Sequence, residues 1–283
     1  MTNFYSLIIT VFNEEASIDK FIHSLNNQTL YPDEFIVVDG GSSDDTVLKI
    51  KESTNSKINL KLIVDETCSK KHSIGPIARG RNVAIAKAKF NNIIVTDAGC
   101  LLSPDWFENI VFGFEQDADV VSGCYMAHVE NDFQAYISDV FCKNITSLDS
   151  SNPKSFEPSS RSFGFKKELW LEAGRYPENS YTAEDTKFVR NLFQLTDNVY
   201  LAKNAVVFWD VPRDFKELCT KVQNYGFGDG VQRLDLFKYF VRLSALILFP
   251  ISFVALILTK RKLITLPIYF YQVKGFIKGV LNV

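Results

Sequence analysis

The chain has 283 residues, of which 46% are hydrophobic and 23% are charged, and its formal net charge is −2. This length can bury a large core, so one domain with an appendage is expected, and the balanced charge gives no reason to expect a nucleic-acid partner. Five scattered cysteines without metal-ligand spacing, and a start without a basic segment, predict reduced thiols in a cytosolic protein without a secretory signal.

Two strand–turn–helix units open the chain. An apolar run at 7–11 ends in a polar turn at Asn13 and Glu14, and a helical pattern follows. A second apolar run ends at Asp39, where a glycine turn leads into another helix. Such close alternation predicts parallel strands, whose carboxyl ends share the sheet edge at which ligands bind. We therefore expect Asn13, Glu14 and Asp39 to face one crevice.

The alternation continues through the first half of the chain. The patterns predict further strands at 60–64, 93–96 and 119–122, and helices at 45–53, 77–89, 104–114, 168–173 and 184–193. This order is typical of an α/β fold with a Rossmann-like, mostly parallel sheet flanked by helices. The stretch 144–162 is rich in Ser, Asn and Pro, which predicts a long loop of the kind that often forms a lid or binding loop.

The last fifty residues form an apolar, helical tail. Residues 243–259 carry no charge, and a basic triplet, Lys260-Arg261-Lys262, separates them from a second uncharged run at 263–273. The first run is at the lower length limit for a membrane span and contains Pro250. We interpret the tail as membrane-associated, either a hairpin broken near Pro250 or helices lying in the interface. A buried helix pair packed on the first domain is the alternative.

Two motifs in the opening units resemble a known family. The segments V-F-N-E-E at 11–15 and V-V-D-G-G-S-S-D-D-T at 37–46 are similar to the first motifs of inverting nucleotide-sugar glycosyltransferases of family 2, which have the GT-A fold. The resemblance covers roughly residues 4–230, so we expect a catalytic domain at 1–230 and a tail at 231–283. It implies that the donor nucleotide sugar contacts Phe12, Asn13, Glu14, Asp39, Gly41, Arg81 and Asp97.

Two central motifs of this family bear on the donor diphosphate. Arg81-Asn82 match the segment before the family's central helix, where an arginine can pair with a diphosphate. Asp97 stands where the family has an Asp-x-Asp motif that holds a divalent metal, but Gly99 replaces the second acid. The resemblance implies Mg²⁺ or Mn²⁺ at Asp97, completed by waters or by a distant residue. Alternatively, cationic side chains replace the metal, with Arg79, Arg81, Arg161 and Arg213 as candidates.

A third motif implies the general base. Gly174-Arg175-Tyr176-Pro177-Glu178, followed by Glu184-Asp185, resembles the family's Gly-x-(Tyr or Phe)-Pro-Glu segment and its acidic pair. In such enzymes the Asp of the pair removes the proton of the acceptor hydroxyl, which implies Asp185 as the base with Glu184 beside it. Two acids at a helix start also occur in ordinary capped helices.

The motifs together predict an inverting, hexosyltransferase-type enzyme on the cytoplasmic face of the cell membrane. It would move a sugar from a nucleotide diphosphate, with UDP favoured, to a hydroxyl of a glycan or lipid-linked acceptor in cell-envelope or polysaccharide synthesis. A non-catalytic nucleotide-sugar binder is the alternative, which Gly99 supports and Glu184-Asp185 oppose. Tyr225-Gly226 stand where a processive synthase would have Arg-Trp, and Trp209 is either a sugar-stacking or a buried aromatic.

Overall fold

The computed structural model describes residues 3–259 and 262–282. Within these residues eight strands form, in chain order: β1 (Tyr5–Val11), β2 (Glu34–Asp39), β3 (Leu60–Val64), β4 (Asn92–Val95), β5 (Cys100–Leu102), β6 (Val120–His128), β7 (Phe163–Lys166) and β8 (Val199–Asp210). Eleven α-helices form in the same part of the chain: α1 (Ile18–Asn26), α2 (Thr46–Ser53), α3 (Pro76–Lys87), α4 (Trp106–Glu115), α5 (Asp132–Phe141), α6 (Lys167–Glu172), α7 (Glu184–Leu195), α8 (Phe215–Val231), α9 (Leu236–Ile247), α10 (Phe249–Leu258) and α11 (Thr265–Leu281).

The strands form one mixed sheet in the order β3-β2-β1-β4-β7-β6-β8-β5. β1 pairs in parallel with β2 and β4, β2 with β3, and β6 with β8, whereas β7 runs antiparallel to β4 and β6 and β5 antiparallel to β8. The predicted mostly parallel α/β sheet is therefore confirmed. Because β7 runs against its neighbours, it begins at the edge where the parallel strands end. The loop before β7 thus reaches the same edge as the turns after β1, β2 and β4.

Helices cover both faces of this sheet. Leu7 and Ile9 of β1 join a cluster that includes the apolar side of α1 and α4, while Ile8 joins a second cluster with α3 and α7. All three side chains are fully buried, and each contributes about 1.5–3 kcal/mol by leaving water. Burial on both faces explains why these strands are continuous apolar runs in the sequence, and hence why their positions could be predicted.

Several elements differ from the predicted ones. β5, β8, α5 and α8 have no counterpart among the predicted helices and strands. β6 extends to His128, six residues beyond the predicted strand, and α4 begins at Trp106 rather than at 104. The stretch 144–162 is the predicted loop, and only two single 3-10 turns, Ile145–Ser147 and Pro153–Ser155, interrupt it.

The chain divides into two compact units, and the division differs from the predicted one. The first contains the sheet and ends at Val211, and the second consists of Asn179–Glu184 with the chain from Pro212 onward. The boundary predicted at residue 230 therefore falls inside α8, which joins the tail. Arg213 belongs to this second unit, as does the glycine-rich segment 226–230.

Glycines explain why α8 groups with the tail. A side chain on Gly275 of α11 would run into the carbonyl oxygen of Gln223 on α8, and one on Gly226 would run into that of Gln272. The two helices thus approach backbone to backbone, as small residues allow. α11 is therefore a packed part of the second unit, with Leu266, Ile268 and Val273 buried.

α9 and α10 have the opposite character. α10 buries none of its side chains, although it consists almost entirely of apolar residues, and α9 buries only Tyr239. The break between them lies at Leu248, with Pro250 in the first turn of α10. No helix within 3–259 and 262–282 has by itself the length and apolar character of a membrane span. α9 and α10 meet those criteria only as a pair, and the pair is bent by 101°.

Candidate active site

The turns after β1 and β2 are tied to each other at the sheet edge. Asn13 adopts a left-handed backbone (φ 54°), and its side-chain oxygen accepts a hydrogen bond from Ser43 N at 2.9 Å. Its own amide donates to Ser42 Oγ at 2.9 Å. Asp39 is 1% exposed and accepts from the amides of Gly41 and Ser42 at 3.0 and 2.9 Å, and also from the Ser42 hydroxyl. The Asp39 carboxylate therefore builds the turn at which it was expected to bind a nucleotide.

Phe12 and Glu14 flank Asn13 and have different surroundings. The Phe12 ring is 44% exposed and lies against the backbone of Gly40. Glu14 donates its amide hydrogen to Thr46 Oγ1 at 2.8 Å, while its carboxylate accepts from Ser17 Oγ at 2.7 Å, just before α1. Phe12 thus presents a flat apolar surface at this edge, whereas Glu14 contributes to the local turn.

Arg81 and Asp97 form an ion pair beneath the carboxyl end of β4. Arg81 Nη2 donates to Asp97 Oδ1 at 2.7 Å, and the arginine side chain is only 4% exposed, against 34% for Asp97. Desolvation by the surrounding protein raises the pKa of Asp97, but the positive charges of Arg81 and Arg161 outweigh it and hold that pKa below its ordinary value. Asp97 is therefore a carboxylate already neutralised by arginine.

This donor set does not fit a preformed metal site. Asp97 is a single carboxylate paired with a cation, and Gly99, exposed, supplies no ligand. Among the residues that the structure describes, no group of three or more His, Cys, Asp or Glu side chains is arranged to hold a metal ion. A hard divalent cation takes several oxygen ligands, which these side chains do not provide.

Asn82, the neighbour of Arg81, has a structural role. Its side-chain oxygen accepts from Trp170 Nε1 and from the amide of Tyr176, both at 3.0 Å. Its nitrogen donates to the Tyr176 carbonyl at 2.9 Å and to Glu178 Oε1 at 2.8 Å, and Arg79 Nη1 lies 3.2 Å from the other Glu178 oxygen. The matched segments at 81–82 and 174–178 are therefore bonded to each other, and this contact holds α3 in place below Asp97.

Asp185 lies at the start of α7, where its carboxylate accepts hydrogen bonds from several donors. One carboxylate oxygen accepts from Thr186 N at 2.8 Å, and the other accepts from Ser159 Oγ at 3.0 Å and from Ser160 N at 3.4 Å. The side chain is half-buried. Glu184, the first residue of α7, is buried, with 6% of its surface exposed. Of the predicted acidic pair, Asp185 is thus the more accessible.

The loop before β7 brings the two carboxylates to one place. Arg161 Nη1 donates to Ser159 Oγ at 2.9 Å, and Arg161 Nε lies 4.0 Å from Asp97 Oδ2. Asp97 and Asp185, which are far apart in sequence, are therefore separated by only two intervening side chains. Sequence reasoning missed Ser159, and its only signal was the Ser- and Pro-rich composition of the loop.

Trp209 is one of the buried aromatics at this edge. Its ring is 6% exposed, and the Arg161 guanidinium lies over it at 4.1 Å from the centroid. The sequence left a sugar-stacking role open, and the structure favours the buried alternative. Beside it, at the ends of β6 and β8, His128 Nδ1 lies 2.9 Å from Asp210 Oδ1.

The cysteines offer no nucleophile here. All five are free, as predicted. Cys100 lies closest in sequence to Asp97, and burial raises the pKa of its thiol to about 12. A thiol with so high a pKa stays protonated at neutral pH, so Cys100 is not a thiolate nucleophile.

Two family models match the chain. The model described as glycosyl transferase family 2 matches residues 6–172, and that of glycosyl transferase family group 2 matches residues 92–278. One relative is the O-antigen chain rhamnosyltransferase RfbN of Salmonella typhimurium, 26% identical over 71% of this chain and 65% of its own length. Another is the poly(ribitol-phosphate) beta-N-acetylglucosaminyltransferase TarS of Staphylococcus aureus, 32% identical over 41% of this chain and 20% of its own length. The chain thus spans less than two thirds of either relative.

Solved structures share the fold. The mannosyltransferase PcManGT from Pyrobaculum calidifontis, in complex with GDP-Man and Mn²⁺, has a TM-score of 0.68 at 17% identity and covers 98% of this chain and 87% of its own. TarS 1–349 of S. aureus, in complex with UDP-GlcNAc, has a TM-score of 0.61 at 18% identity and covers 98% and 81%. Both are glycosyltransferases, and the predicted GT-A fold is confirmed. Since the family 2 model matches more than half of its residues, the chain belongs to glycosyl transferase family 2.

Proposed function

We propose that this glycosyltransferase transfers a sugar, with inversion, from a UDP-sugar to a hydroxyl of a lipid-linked or other membrane-proximal glycan. The observation that carries the proposal is the short connection from Asp97 through Arg161 and Ser159 to Asp185. It supports a donor diphosphate near Asp97 and a base near Asp185 at the same sheet edge. In-line displacement requires the leaving group and the base on opposite sides of one anomeric carbon.

The turn at Asp39 supports nucleoside binding. One oxygen of Asp39 accepts two amide hydrogens, whereas the other accepts only the Ser42 hydroxyl and retains a lone pair. That lone pair can accept from the ring N–H of uracil, and the exposed face of Phe12 can lie against the base. Among the solved structures, TarS binds UDP and UDP-GlcNAc, whereas PcManGT binds GDP-Man.

Arg81 and Arg161 supply positive charge for the departing nucleoside diphosphate. A guanidinium pairs with phosphate oxygens through its planar fork, and fixed cations stabilise charge that develops in the transition state. Mg²⁺ or Mn²⁺ with Asp97 as its one protein ligand stays a prediction.

Asp185 is the proposed base. As the acceptor oxygen forms a bond to the anomeric carbon, the bond from that carbon to the diphosphate oxygen breaks, and the acceptor proton passes to the Asp185 carboxylate. One displacement of this kind inverts the anomeric configuration. The hydrogen bonds from Ser159 and Thr186 fix the orientation of the carboxylate before the acceptor arrives.

The tail supports a position at the cytoplasmic face of a membrane. From residue 236 onward the sequence contains no Asp or Glu but seven Lys or Arg, and α9 and α10 expose most of their large apolar side chains. Exposed apolar side chains flanked by basic ones suit the headgroup region of an anionic bilayer. We therefore propose that α9 and α10 lie in the interface and keep the enzyme near lipid-linked acceptors.

A donor and acceptor screen tests the proposed reaction. The purified protein is incubated with a panel of UDP-, GDP- and dTDP-sugars and lipid-linked glycan acceptors, with and without Mn²⁺, and released nucleotide and glycosylated product are measured. We expect transfer from a UDP-sugar. Transfer only from a GDP- or dTDP-sugar would contradict the UDP assignment, and no transfer from any donor would contradict the proposed function.

Vesicle flotation tests the membrane proposal separately. The protein should float with vesicles containing phosphatidylglycerol and much less with neutral phosphatidylcholine, and salt should weaken the binding. Replacing Ile251, Val254 and Ile257 of α10 by Ser should reduce flotation while UDP affinity stays the same. The matched control replaces the exposed Leu48, Leu171 and Leu195 of the first unit by Ser. Equal loss in both variants would contradict the proposal.

A further inference from the structure

Arg161 contacts both halves of the candidate site. Its guanidinium lies over the ring of Trp209 at 4.1 Å and 5.6 Å from the Tyr125 ring centroid, and its Nε lies 4.0 Å from Asp97 Oδ2. Its carbonyl oxygen accepts a hydrogen bond from Thr96 Oγ1 at 2.7 Å, which ties the residue to the end of β4. Backbone and side chain are therefore both held, so the guanidinium has a defined position.

Ser159 relays this position to Asp185. The hydroxyl has one proton, and it donates that proton to Asp185 Oδ2 at 3.0 Å. Its oxygen accepts from Arg161 Nη1 at 2.9 Å, and the residue is 8% exposed. Since arginine can only donate and an ionised carboxylate can only accept, the hydrogen bonds have one possible direction, from Arg161 through Ser159 to Asp185.

We propose that Arg161 is a positioning residue that couples the donor site at Asp97 to the orientation of the base Asp185 through Ser159. The proposal rests on the proposed function and adds to it a link between the two substrates. Stacking on Trp209 fixes the orientation of the guanidinium plane. In this orientation Nε lies toward Asp97 and the donor, and Nη1 donates to Ser159. A donor diphosphate that binds the donor-side edge of the guanidinium restrains Nη1 as well, and through it the Ser159 hydroxyl and the carboxylate that meets the acceptor.

The chemistry of the three side chains explains why the arrangement matters for rate. A misplacement of about 1 Å at a reacting group can cost on the order of 10²-fold in rate. Within the described part of the chain, the Asp185 carboxylate has no ionic partner and is held by three hydrogen-bond donors. Loss of Ser159 removes one of the two donors to Oδ2, so that this oxygen can turn away from the acceptor without losing an ion pair.

The test is a double-mutant cycle on Arg161 and Ser159. Ser159→Ala, Arg161→Lys and the double variant are compared for kcat and KM at saturating acceptor, and for UDP affinity by calorimetry. Arg161→Lys keeps the charge but loses the planar fork. Ser155→Ala is the matched control, because Ser155 is an exposed serine of the same loop whose hydroxyl donates to Asn152 O.

We expect Ser159→Ala to lower kcat roughly 10- to 100-fold and to change UDP affinity less than twofold, while the control matches the wild type. Arg161→Lys should lower kcat to a similar extent, and the double variant should be no slower than the slower single variant, because both break one chain. The coupling would be overturned if the fold-loss of kcat in the double variant equals the product of the two single losses. It would also be overturned if Arg161→Lys changes donor affinity and leaves kcat unchanged. If Arg161→Lys does not fold, the test rests on Ser159→Ala alone, and a wild-type kcat in that variant would overturn the coupling. Absence of transfer by the wild type would instead overturn the proposed function.

Discussion

Replacement of Asp185 by Asn removes the proposed base with almost no change of shape. The carboxylate accepts three hydrogen bonds, from Thr186 N on one oxygen and from Ser159 Oγ and Ser160 N on the other. An amide has one accepting oxygen, so its NH₂ group must face either the Thr186 amide or the Ser159–Ser160 pair. The variant therefore loses one or two hydrogen bonds as well as the ability to take a proton.

The two consequences differ in size. Each lost hydrogen bond costs about 0.5–1.5 kcal/mol of folding free energy, so the loss of one or two should cost about 0.5–3 kcal/mol. For a unit of this size that lowers Tm by roughly 1–12 °C, and a domain with ordinary stability stays folded at 25 °C. Loss of general-base assistance costs ~10²–10⁴ in rate, which is about 2.7–5.4 kcal/mol of activation free energy. The rate loss should therefore far exceed any loss of folded protein.

The assay measures kcat for transfer at saturating donor, UDP affinity by calorimetry and Tm, for Asp185→Asn and two comparison variants. Glu184→Gln should be the milder change if Glu184 only orients the start of α7. Asp132→Asn removes an exposed acid at the start of α5 and reports any general helix-start effect. We expect UDP affinity within a few-fold of wild type in all three. A near wild-type kcat in Asp185→Asn would refute the reasoning.

Three further changes test the donor site, the metal and the second unit. Asp39→Ala should weaken UDP binding at least tenfold, measured by calorimetry, because the turn loses its acceptor. In the wild type, equal affinities for UDP and GDP would contradict the assignment of UDP as the donor nucleotide. Gly99→Asp should fold normally, since no heavy atom beyond the adjacent residues lies within 4 Å of the added Cβ. With UDP present, this variant should bind Mn²⁺ more tightly than Gly99→Asn, measured by manganese EPR, and equal binding in the two variants would contradict this. Wild-type activity that survives EDTA would favour the arginines over a metal. Gly275→Ala should destabilise the protein by about 3 kcal/mol, the upper part of the range for overpacking, and lower Tm accordingly. The reason is that the added Cβ meets the backbone of Gln223 and not a movable side chain. An unchanged Tm would show that α8 and α11 do not pack so closely.

The predictable part of the fold is the part whose residues are buried on both faces. β1 and β2 are mostly apolar because helices cover both sides of the sheet, and the turns at Asn13 and Asp39 mark their ends. β8 was missed because exposed and buried positions alternate along it, with Lys203 and Asn204 in its middle. α8 was missed because three glycines weaken the helical signal, and the reason for them is tertiary: Gly226 and Gly230 lie close to α11, and Gly228 lies close to Thr182.

The candidate site shows the same limit. Asp97 and Asp185 could be proposed because each stands in a motif with a recognisable local pattern. The sequence could not show that Arg81 is already paired with Asp97, because an ion pair between a helix and a strand end depends on tertiary packing. Ser159 had no motif at all, since its role depends on the antiparallel β7, which returns the loop to the edge where the parallel strands end.

The anomeric configuration of the first product tests the central claim most directly. The wild-type enzyme is given the donor that the screen identifies, and the product is followed by NMR from the earliest time points, with the donor spectrum as reference. A single displacement assisted by Asp185 predicts a glycosidic bond of the anomeric configuration opposite to that of the donor. A product that retains the donor configuration would contradict the account, because one in-line attack cannot give it.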